Sequence, residues 1–390
     1  MNKTPAVRFI GFAEDWEQRK LGEVSESYSG GTPSVGVKEY YGGQIPFIRS
    51  AEINSEITEL SLTEGGLKNS SARLVDVGDI LYALYGATSG EVGRARLKGA
   101  INQAILAIKP HAGYDSEYLA QWLRKSKHSI IETYLQGGQG NLSGTIVKEL
   151  SVDFPLLKEQ QTIGNFFSQL DHLITFHQRK YEKLKNIKKS MLEKMFPKNG
   201  SNVPEIRFKR FTDAWEQRKF GDIVQTRRGL TYKPTDIEES GIRVLRSSNI
   251  DEDTFVYGVD DVFVNPYAVN IEPVRKNDIL ITSANGSSRL VGKHALIKKI
   301  SDGSAVHGGF MLLGRTKNYD FVNASMSSSW YTKFINVFAA GGNGAIGNLN
   351  KNDLDEQVIL IPDDAEQIKI GEYFAALDNL ITLHHRKLKN

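Results

Sequence analysis

The 390-residue sequence contains no cysteine. This absence excludes a disulfide framework, a thiolate zinc site, an iron–sulfur cluster and a cysteine nucleophile. The sequence also lacks an uninterrupted apolar run of about 18 residues, the length that a transmembrane helix requires, and it has no apolar segment typical of a signal peptide near its start. We therefore expect a cytoplasmic protein.

The sequence also has no large net charge. There are 49 Lys and Arg residues against 46 Asp and Glu, a net charge of +3, which is not that of a histone-like non-specific binder. Among the eight histidines only His384 and His385 are adjacent, and neighbours on a helix point apart, so no metal site is predicted. No P-loop, GxSxG, HExxH or Rossmann glycine motif indicates a catalytic centre.

An internal repeat dominates what is present. The run Trp16–Lys20 recurs unchanged as Trp215–Lys219, at an offset of 199 residues, and the same offset makes Gly93 face Gly292. The offset then drifts, reaching 207 towards the end of each copy. Because the ends of the two copies match while their middles differ, the chain is interpreted as a duplication with insertions in the second copy.

Each copy begins with a stretch that mixes strand and helix patterns. Short β-branched or aromatic runs bounded by Gly, Asp or Pro predict strands, and Asp115 caps a predicted helix at about 116–135, whose counterpart follows Asp320. The predicted strands are Ile45–Ser50, Asp79–Leu84, Ala104–Ile108 and Ser151–Pro155, then Arg243–Ser247, Asp278–Thr282, Gly309–Leu313 and Gln357–Pro362. We expect two α+β domains, at 1–155 and 213–362.

Each copy ends in a long helix, predicted at 156–197 and 363–390, and a linker at 198–212 follows the first. Apolar residues recur there in alternating steps of four and three, as in a coiled coil. These seam residues are Ile163, Phe167, Leu170 and Ile174, then Ile370, Phe374, Leu377 and Ile381. We expect them to be buried between the two helices, in a direction that the residues leave open. The second helix has no counterpart of Leu184–Pro197.

Residues suited to nucleic-acid contacts lie on loops after the predicted strands. Arg, Ser and Asn side chains fit base edges and phosphates, although each could equally be an ordinary polar surface residue. The candidates are Arg49, Ser50, Ser89, Arg94 and Arg96, then Arg246, Ser247, Asn249, Ser287, Arg289 and Lys293. The segment Arg179–Lys198 holds eight basic and two acidic residues, which fits either a phosphate-binding face or the solvated flank of a coiled coil.

The motifs of the chain resemble those of the specificity subunit of type I restriction–modification enzymes, over nearly the whole sequence. Each motif is short, but their order is specific, because it occurs twice around a variable centre. The motifs are Trp16–Glu23, Gly78–Leu81, Gly86–Thr88, Val92–Gly93, Gly140–Ser143, Pro155–Ile163 and Leu170–Asp171, with Gly344, Asn348–Leu349, Pro362 and Glu366–Gln367 in the second copy.

This resemblance implies two target-recognition domains that each read one half of a split, asymmetric DNA site. It implies that the helices pack antiparallel as a spacer and dock two modification subunits. The chain itself would be non-catalytic and bind no cofactor. S-adenosylmethionine would belong to modification subunits that methylate adenine N6, and ATP and Mg to restriction subunits that translocate and cleave DNA. The short second helix departs from the family pattern.

Two other classes of function remain open. A two-headed protein-interaction scaffold would use the same duplication without binding DNA. A fused methyltransferase would need cofactor and catalytic motifs that the sequence lacks. Binding to duplex DNA that weakens steeply with salt would separate a specificity subunit from a scaffold, because such a slope reflects the release of counterions from the phosphates.

Overall fold

The computed structural model describes residues 5–135, 141–198, 200–338 and 347–389. Contacts divide the chain into two compact units, Met1–Thr175 and Phe176–Asn390. The motif residues Gly140 and Gly344 lie outside the described residues. None of the described helices combines the length and the apolar composition that crossing a membrane requires.

Unit 1 is built from short strands and a few helices. Its described strands are β1 (Glu17–Lys20), β2 (Ser25–Ser29), β3 (Tyr41–Ile48), β4 (Leu60–Leu62), β5 (Arg73–Val75), β6 (Ile80–Ala83), β7 (Val92–Arg94), β8 (Gly99–Ile101), β9 (Ile105–Pro110) and β10 (Ser151–Phe154). Its described helices are α1 (Leu21–Val24), α2 (Glu64–Lys68), α3 (Ser116–Tyr134), α4 (Gly144–Lys148) and α5 (Leu157–Lys194), which continues into unit 2.

These strands form two four-stranded sheets and one two-stranded ribbon. The first sheet has the order β2-β9-β6-β7 and the second the order β4-β3-β8-β5. Strand β6 is buried on both faces: Ile80 and Tyr82 pack in the core that includes α3, while Leu81 and Ala83 pack in a second core. Side chains alternate along a strand, so a continuous apolar run fits a central strand between two cores.

Unit 2 repeats this construction with more strands. Its described strands are β11 (Glu216–Lys219), β12 (Gln225–Arg228), β13 (Ile237–Glu238), β14 (Ile242–Leu245), β15 (Ile250–Asp251), β16 (Thr254–Phe255), β17 (Val262–Val264), β18 (Ile279–Thr282), β19 (Ala284–Asn285), β20 (His294–Leu296), β21 (Ala305–His307), β22 (Met311–Arg315), β23 (Gly347–Asn348) and β24 (Val358–Ile361). Its described helices are α6 (Phe220–Ile223), α7 (Tyr319–Met326), α8 (Ser329–Phe338), α9 (Lys351–Glu356) and α10 (Asp364–Lys389).

The sheet orders confirm the duplication. The order β12-β22-β18-β20 in unit 2 matches β2-β9-β6-β7 in unit 1, and β17-β14-β21 matches β4-β3-β8. Every predicted strand is present, with ends shifted by up to four residues. The expected α+β class is therefore confirmed in both copies.

The two helices that follow the sheets differ between the units. Helix α3 begins at Ser116, and the Asp115 side chain accepts a hydrogen bond from the Tyr118 N–H at 2.8 Å, as predicted. Its counterpart begins at Tyr319 and is broken into α7 and α8. The hydroxyl groups of Ser327 and Ser328 donate to backbone carbonyls at this break. Such bonds compete with the helix ladder, which accounts for the interruption.

One residue pairing inferred from the sequence is wrong. Gly90 N–H donates to the carbonyl of Ala83 at the end of β6, and Gly292 N–H donates to Thr282 at the end of β18. Gly292 is therefore the counterpart of Gly90, not of Gly93, because the loop after β18 is three residues longer. Both glycines have positive φ, and a Cβ on either would press on a helix side chain, Ile131 or Ile335.

The identical runs at the start of the two copies each pair with the last strand of their own copy. Strand β1 pairs antiparallel with β10, and β11 pairs with β24 in the same register. Ahead of them, the Arg8 guanidinium donates twice to the buried Glu159 at 2.6 Å, and Arg207 does the same to the buried Glu366 at 2.7 Å. These repeated residues hold each N-terminal segment against the start of its own long helix.

Helices α5 and α10 pack antiparallel within unit 2. His177 Nδ1 lies 2.8 Å from His384 Nδ1, Lys188 Nζ lies 2.8 Å from Asp378 Oδ1, and the rings of Phe196 and Phe374 are 6.0 Å apart. Along α5 the numbers rise while those of the partners on α10 fall, which confirms the expected antiparallel packing. His177 and His384 are equivalent residues, so their contact marks a local two-fold relation between the two helix segments.

Candidate nucleic-acid interface

The first predicted loop follows β3 in unit 1 and β14 in unit 2. The Arg49 N–H donates to Glu52 Oε2 at 3.1 Å, and the Arg246 N–H donates to Asn249 Oδ1 at 2.8 Å, so both loops close a short 3₁₀ turn in the same way. Asn249 is fully buried and donates to a backbone carbonyl and to Asp261. Asn249 therefore holds its loop and has no donor left for a base.

Carboxylates hold both arginines of this loop. Arg49 Nε and Nη2 each lie 3.1 Å from Glu52, and Nη2 also contacts Glu59. These hydrogen bonds raise the pKa of Arg49. Arg246 Nη2 contacts the carbonyl and the carboxylate of Asp260. A phosphate or base that used either guanidinium would have to replace a carboxylate.

The segment 84–96 of unit 1 carries three further candidates. Ser89 is buried, and its hydroxyl donates to a backbone carbonyl at 3.3 Å. Arg94 donates from Nε to Gly78 O at 2.7 Å and from Nη1 to Glu117 at 2.9 Å. The exposed Arg96 side chain has no hydrogen-bond or ion-pair partner in the part of the chain that the structure describes. Only Arg96 presents a free guanidinium here.

In unit 2 one side chain joins two of the predicted loops. Asn285 Nδ2 donates to Ser247 Oγ at 2.9 Å, and Asn285 Oδ1 accepts from the Ser287 N–H at 2.9 Å. Arg289 follows on the same loop, exposed and without a side-chain partner among the described residues. Ser50, the counterpart of Ser247, is half-buried at the start of its turn. Sequence reasoning missed Asn285, since its role depends on a contact with a residue 38 positions away.

Lys293 lines a separate feature, a cleft of about 1230 Å³ in unit 2. The second half of α5, the hairpin β15–β16, α8 and α10 form its walls. Its other cations are Lys185, Lys188, Lys189, Lys298, Lys299, Lys333 and Arg386, and its acids are Glu193, Glu252, Asp253 and Asp378. The cations outnumber the acids, so the cleft favours anions. Sequence reasoning missed Lys298, Lys299 and Lys333, because they are distant in sequence from the basic segment Arg179–Lys198, although they line the same cleft.

Among the groups of this cleft whose pKa values are shifted are Lys188 and His294. Burial alone would lower the pKa of Lys188, but Asp378 at 2.8 Å and Asp253 at 3.1 Å outweigh it, so the pKa is raised. Burial lowers the pKa of His294, which therefore stays neutral. No group of three or more His, Asp or Glu side chains in the described ranges could hold a metal ion.

The seam residues of the two helices differ in burial. The exposed fractions of Ile370, Phe374 and Leu377 are 1, 2 and 8%, and Ile381 is half-buried. The equivalent Phe167, Leu170 and Ile174 are 43, 39 and 47% exposed, while Ile163 packs against the core of unit 1. The expectation of burial is therefore wrong for Phe167, Leu170 and Ile174.

The last turns of α10 are positioned by contacts within unit 2. The contacts of His384 with His177 and of His385 with Tyr181 place its last turns beside the start of the unit 2 part of α5.

Comparison with known proteins gives a consistent assignment. A family model described as the type I restriction modification DNA specificity domain matches residues 13–186 and 212–390. The MjaIX specificity subunit of Methanocaldococcus jannaschii is 29% identical over 272 residues, which are 66% of this chain and 62% of that protein. The MjaVIII specificity subunit of the same organism is 22% identical over 96% of this chain and 88% of that protein.

A solved structure shows the same fold. The S subunit of a type I restriction–modification system from M. genitalium superposes with a TM-score of 0.65 at 16% identity, covering 100% of this chain and 95% of that one. The two α+β sheet systems and the long helices thus recur in that crystal structure.

Proposed function

Because this chain belongs to the type I restriction modification DNA specificity family and carries two of its domains, we propose that it is the DNA sequence-specificity subunit of a type I restriction–modification complex. Each domain reads one half of a bipartite, asymmetric DNA site. The observation that carries this proposal is that the two units share a sheet of the same strand order but differ in the loops that follow its strands. The sheet β2-β9-β6-β7 matches β12-β22-β18-β20, yet the loop after β18 is longer than the loop after β6 and presents Arg289.

The domain roles follow the boundaries expected from the sequence. Residues 1–155 and 213–362 are the two recognition domains, 156–197 and 363–390 are the helical spacers, and 198–212 is the linker. The helices set the separation of the half-sites and dock two modification subunits. The partners are double-stranded DNA, modification subunits and restriction subunits, in the cytoplasm.

Base contacts and phosphate contacts are assigned to different surfaces. Arg96 and Arg289 have free guanidinium groups among the described residues, and a free fork of donors is what a guanine edge requires. The basic cleft around Lys293 offers ammonium groups, which meet phosphates without distinguishing bases. The side chains of Arg49, Ser89, Arg94, Arg246, Ser247 and Asn249 already have partners within the chain, so they contact DNA only through rearrangement. The hydroxyl groups of Ser50 and Ser287 stay candidates for direct contacts.

The chain is non-catalytic in this proposal. S-adenosylmethionine, ATP and Mg belong to the partner subunits. The purified chain should therefore transfer no methyl group from S-adenosylmethionine to any DNA until a modification subunit is added. Methyl transfer by the chain alone would contradict this role.

Methylome sequencing of a host that carries this chain with its modification subunit tests the proposal. The expected result is one new methylated motif with two different halves and a gap of unspecified bases. Binding of the assembled complex to that motif should weaken steeply as salt rises, because phosphate contacts release counterions. No new motif, together with no salt-dependent DNA binding, would favour a protein-interaction scaffold.

A further inference from the structure

One large apolar side chain of unit 2 is open to solvent beside two loops that carry predicted base readers. Phe310 directly precedes β22 and is 74% exposed. Its ring packs in none of the hydrophobic cores that the described residues of unit 2 form. Single exposed apolar residues are common on protein surfaces, so a role for Phe310 has to follow from its position and from its counterpart in unit 1.

The counterpart of Phe310 in unit 1 is Ala104. The Leu84 N–H, directly after β6, donates to the Ala104 carbonyl at 2.8 Å. The Ser283 N–H, directly after β18, donates to the Phe310 carbonyl at 2.9 Å. Ala104 is only 8% exposed, so the same backbone position holds a small, buried side chain in one copy and a large, exposed ring in the other. The ring contributes little to folding, because most of its surface stays in water.

Backbone hydrogen bonds tie the turn at Phe310 to both of these loops. The Gly308 N–H donates at 2.9 Å to the carbonyl of the residue before Arg246, where the first loop begins. The Ala284 N–H donates at 3.1 Å to the Phe310 carbonyl, at the start of the loop that carries Arg289. A side-chain hydrogen bond of 2.9 Å joins the two loops to each other. The backbone therefore holds the exposed ring beside both loops.

A phenyl ring cannot read the donors and acceptors of a base edge. The apolar group that distinguishes one base in the major groove is the 5-methyl group of thymine, which phenylalanine contacts favourably. The polar side chains of the adjoining loops suit base edges, so the ring beside them meets base edges as well. We propose that Phe310 contacts the methyl group of one thymine in the half-site that unit 2 reads. This inference rests on the proposed function and adds a base type to it. Unit 1 has the buried Ala104 at this position, so the first half-site has no such requirement.

Deoxyuridine scanning of the methylated motif tests this contact, since uracil differs from thymine only by the missing methyl group. The full chain is assembled with its modification subunit, and each thymine of both half-sites is replaced singly. We expect one position at which the unchanged chain binds the uracil duplex about fourfold more weakly, the effect of one methyl group left out of an apolar contact. The Phe310→Ala variant should bind the thymine and uracil duplexes equally well at that position.

Two further variants serve as controls. Phe310→Leu keeps an apolar side chain and should retain a difference between thymine and uracil of about twofold or more. Tyr267→Ala removes an aromatic ring that is 99% exposed at the end of the β14–β17 pair that lies away from Arg246, and it should leave the full difference. Because Phe310 is exposed, Phe310→Ala should keep the melting temperature of the unchanged chain, which thermal unfolding checks.

Three results would overturn this inference. The first is that no thymine is methyl-sensitive and Phe310→Ala has no effect on binding. The second is a methyl-sensitive position that stays so in Phe310→Ala, since another residue would then make the contact. The third is weaker binding of Phe310→Ala without a methyl-sensitive position, together with increased fluorescence of 2-aminopurine in the half-site, which would make the ring a wedge between base pairs. In all three the unchanged complex still binds its motif. Failure of the proposed function is distinct, because the unchanged complex would then bind no motif, and this inference would fall with it.

Discussion

Truncation of one phenylalanine in each seam measures how differently the two seams are packed. Phe167 and Phe374 are equivalent seam residues of the two long helices. Phe374 is 2% exposed and packs against Phe196 in the main core of unit 2, whereas Phe167 is 43% exposed. The substitutions Phe167→Ala and Phe374→Ala remove the same atoms from these two environments.

The expected costs follow from burial. Removing a buried phenylalanine side chain costs about 3–5 kcal/mol, the sum of lost transfer free energy and a cavity that neighbours fill only partly, and this applies to Phe374→Ala. Full burial of such a side chain contributes about 1.5–3 kcal/mol. Phe167 buries a little over half of its surface and would leave no closed cavity, so Phe167→Ala should cost about 1–1.5 kcal/mol.

Urea unfolding followed by tryptophan fluorescence measures both values. The two units need not unfold together, so each is followed by its own probe. Trp16 packs on Tyr118 in unit 1, and Trp215 packs on Phe196 in unit 2. To follow one unit alone, the tryptophans of the other unit are replaced by Phe, both in the unchanged chain and in the alanine variant. Equal losses for the two variants would refute the reasoning, because they would mean that Phe167 is as buried in solution as Phe374.

Four further predictions concern recognition, pH and spacing. Arg289→Ala should weaken specific DNA binding by about 1–3 kcal/mol and relax the base preference in one half-site only, which fluorescence anisotropy with DNA that contains the methylated motif measures. Arg94→Ala should instead lower the melting temperature without changing the motif, which thermal unfolding measures. Lys333→Ala should weaken binding to all sequences alike and reduce the salt slope, which a salt titration measures. Burial lowers the pKa of His307 from its ordinary 6.5 to about 4, so the unfolded state takes up the proton first, and the contribution of His307 to the stability of unit 2 should be complete above pH 6.5 and be lost towards pH 4. Urea midpoints of a His307→Gln variant should fall less over this range than those of the unchanged chain, because only the contribution of His294, whose pKa burial also lowers, remains. One heptad inserted after Leu173 adds about 10 Å of helix, so the unread gap in the methylome should grow by one to about three base pairs while both half-sites persist.

Much of the fold was predictable because the relevant patterns are local. The repeat, the strands and the Asp115 cap depend on residues close together in sequence. The seam also predicted correctly that the helices pair. A pattern of three-residue and four-residue steps identifies the side of a helix that suits a partner, but it does not specify which residues on that side become covered. The seam therefore could not show that Leu170 remains exposed.

The candidate base readers were less predictable, because their availability depends on distant residues. Arg94 and Arg96 are two positions apart and equally basic in sequence. The structure gives Arg94 two acceptors, Gly78 O and Glu117, that are 16 and 23 residues away, whereas Arg96 has none among the described residues. A residue type states what a side chain could bind, and only the tertiary contacts state whether its donors are already used.

The duplication itself supplies a criterion for the residues that discriminate bases. Two domains that recognise different half-sites cannot discriminate between them with residues that have the same structural environment in both copies. Arg49 and Arg246 fail this criterion, since both follow the equivalent strand, close the same turn and are held by carboxylates. Arg289 satisfies it, because it lies on the loop that is three residues longer in unit 2 and is free among the described side chains. Replacing the segment 283–291 by 84–89 would therefore change the second half-site while leaving the sheet and the first half-site as they are.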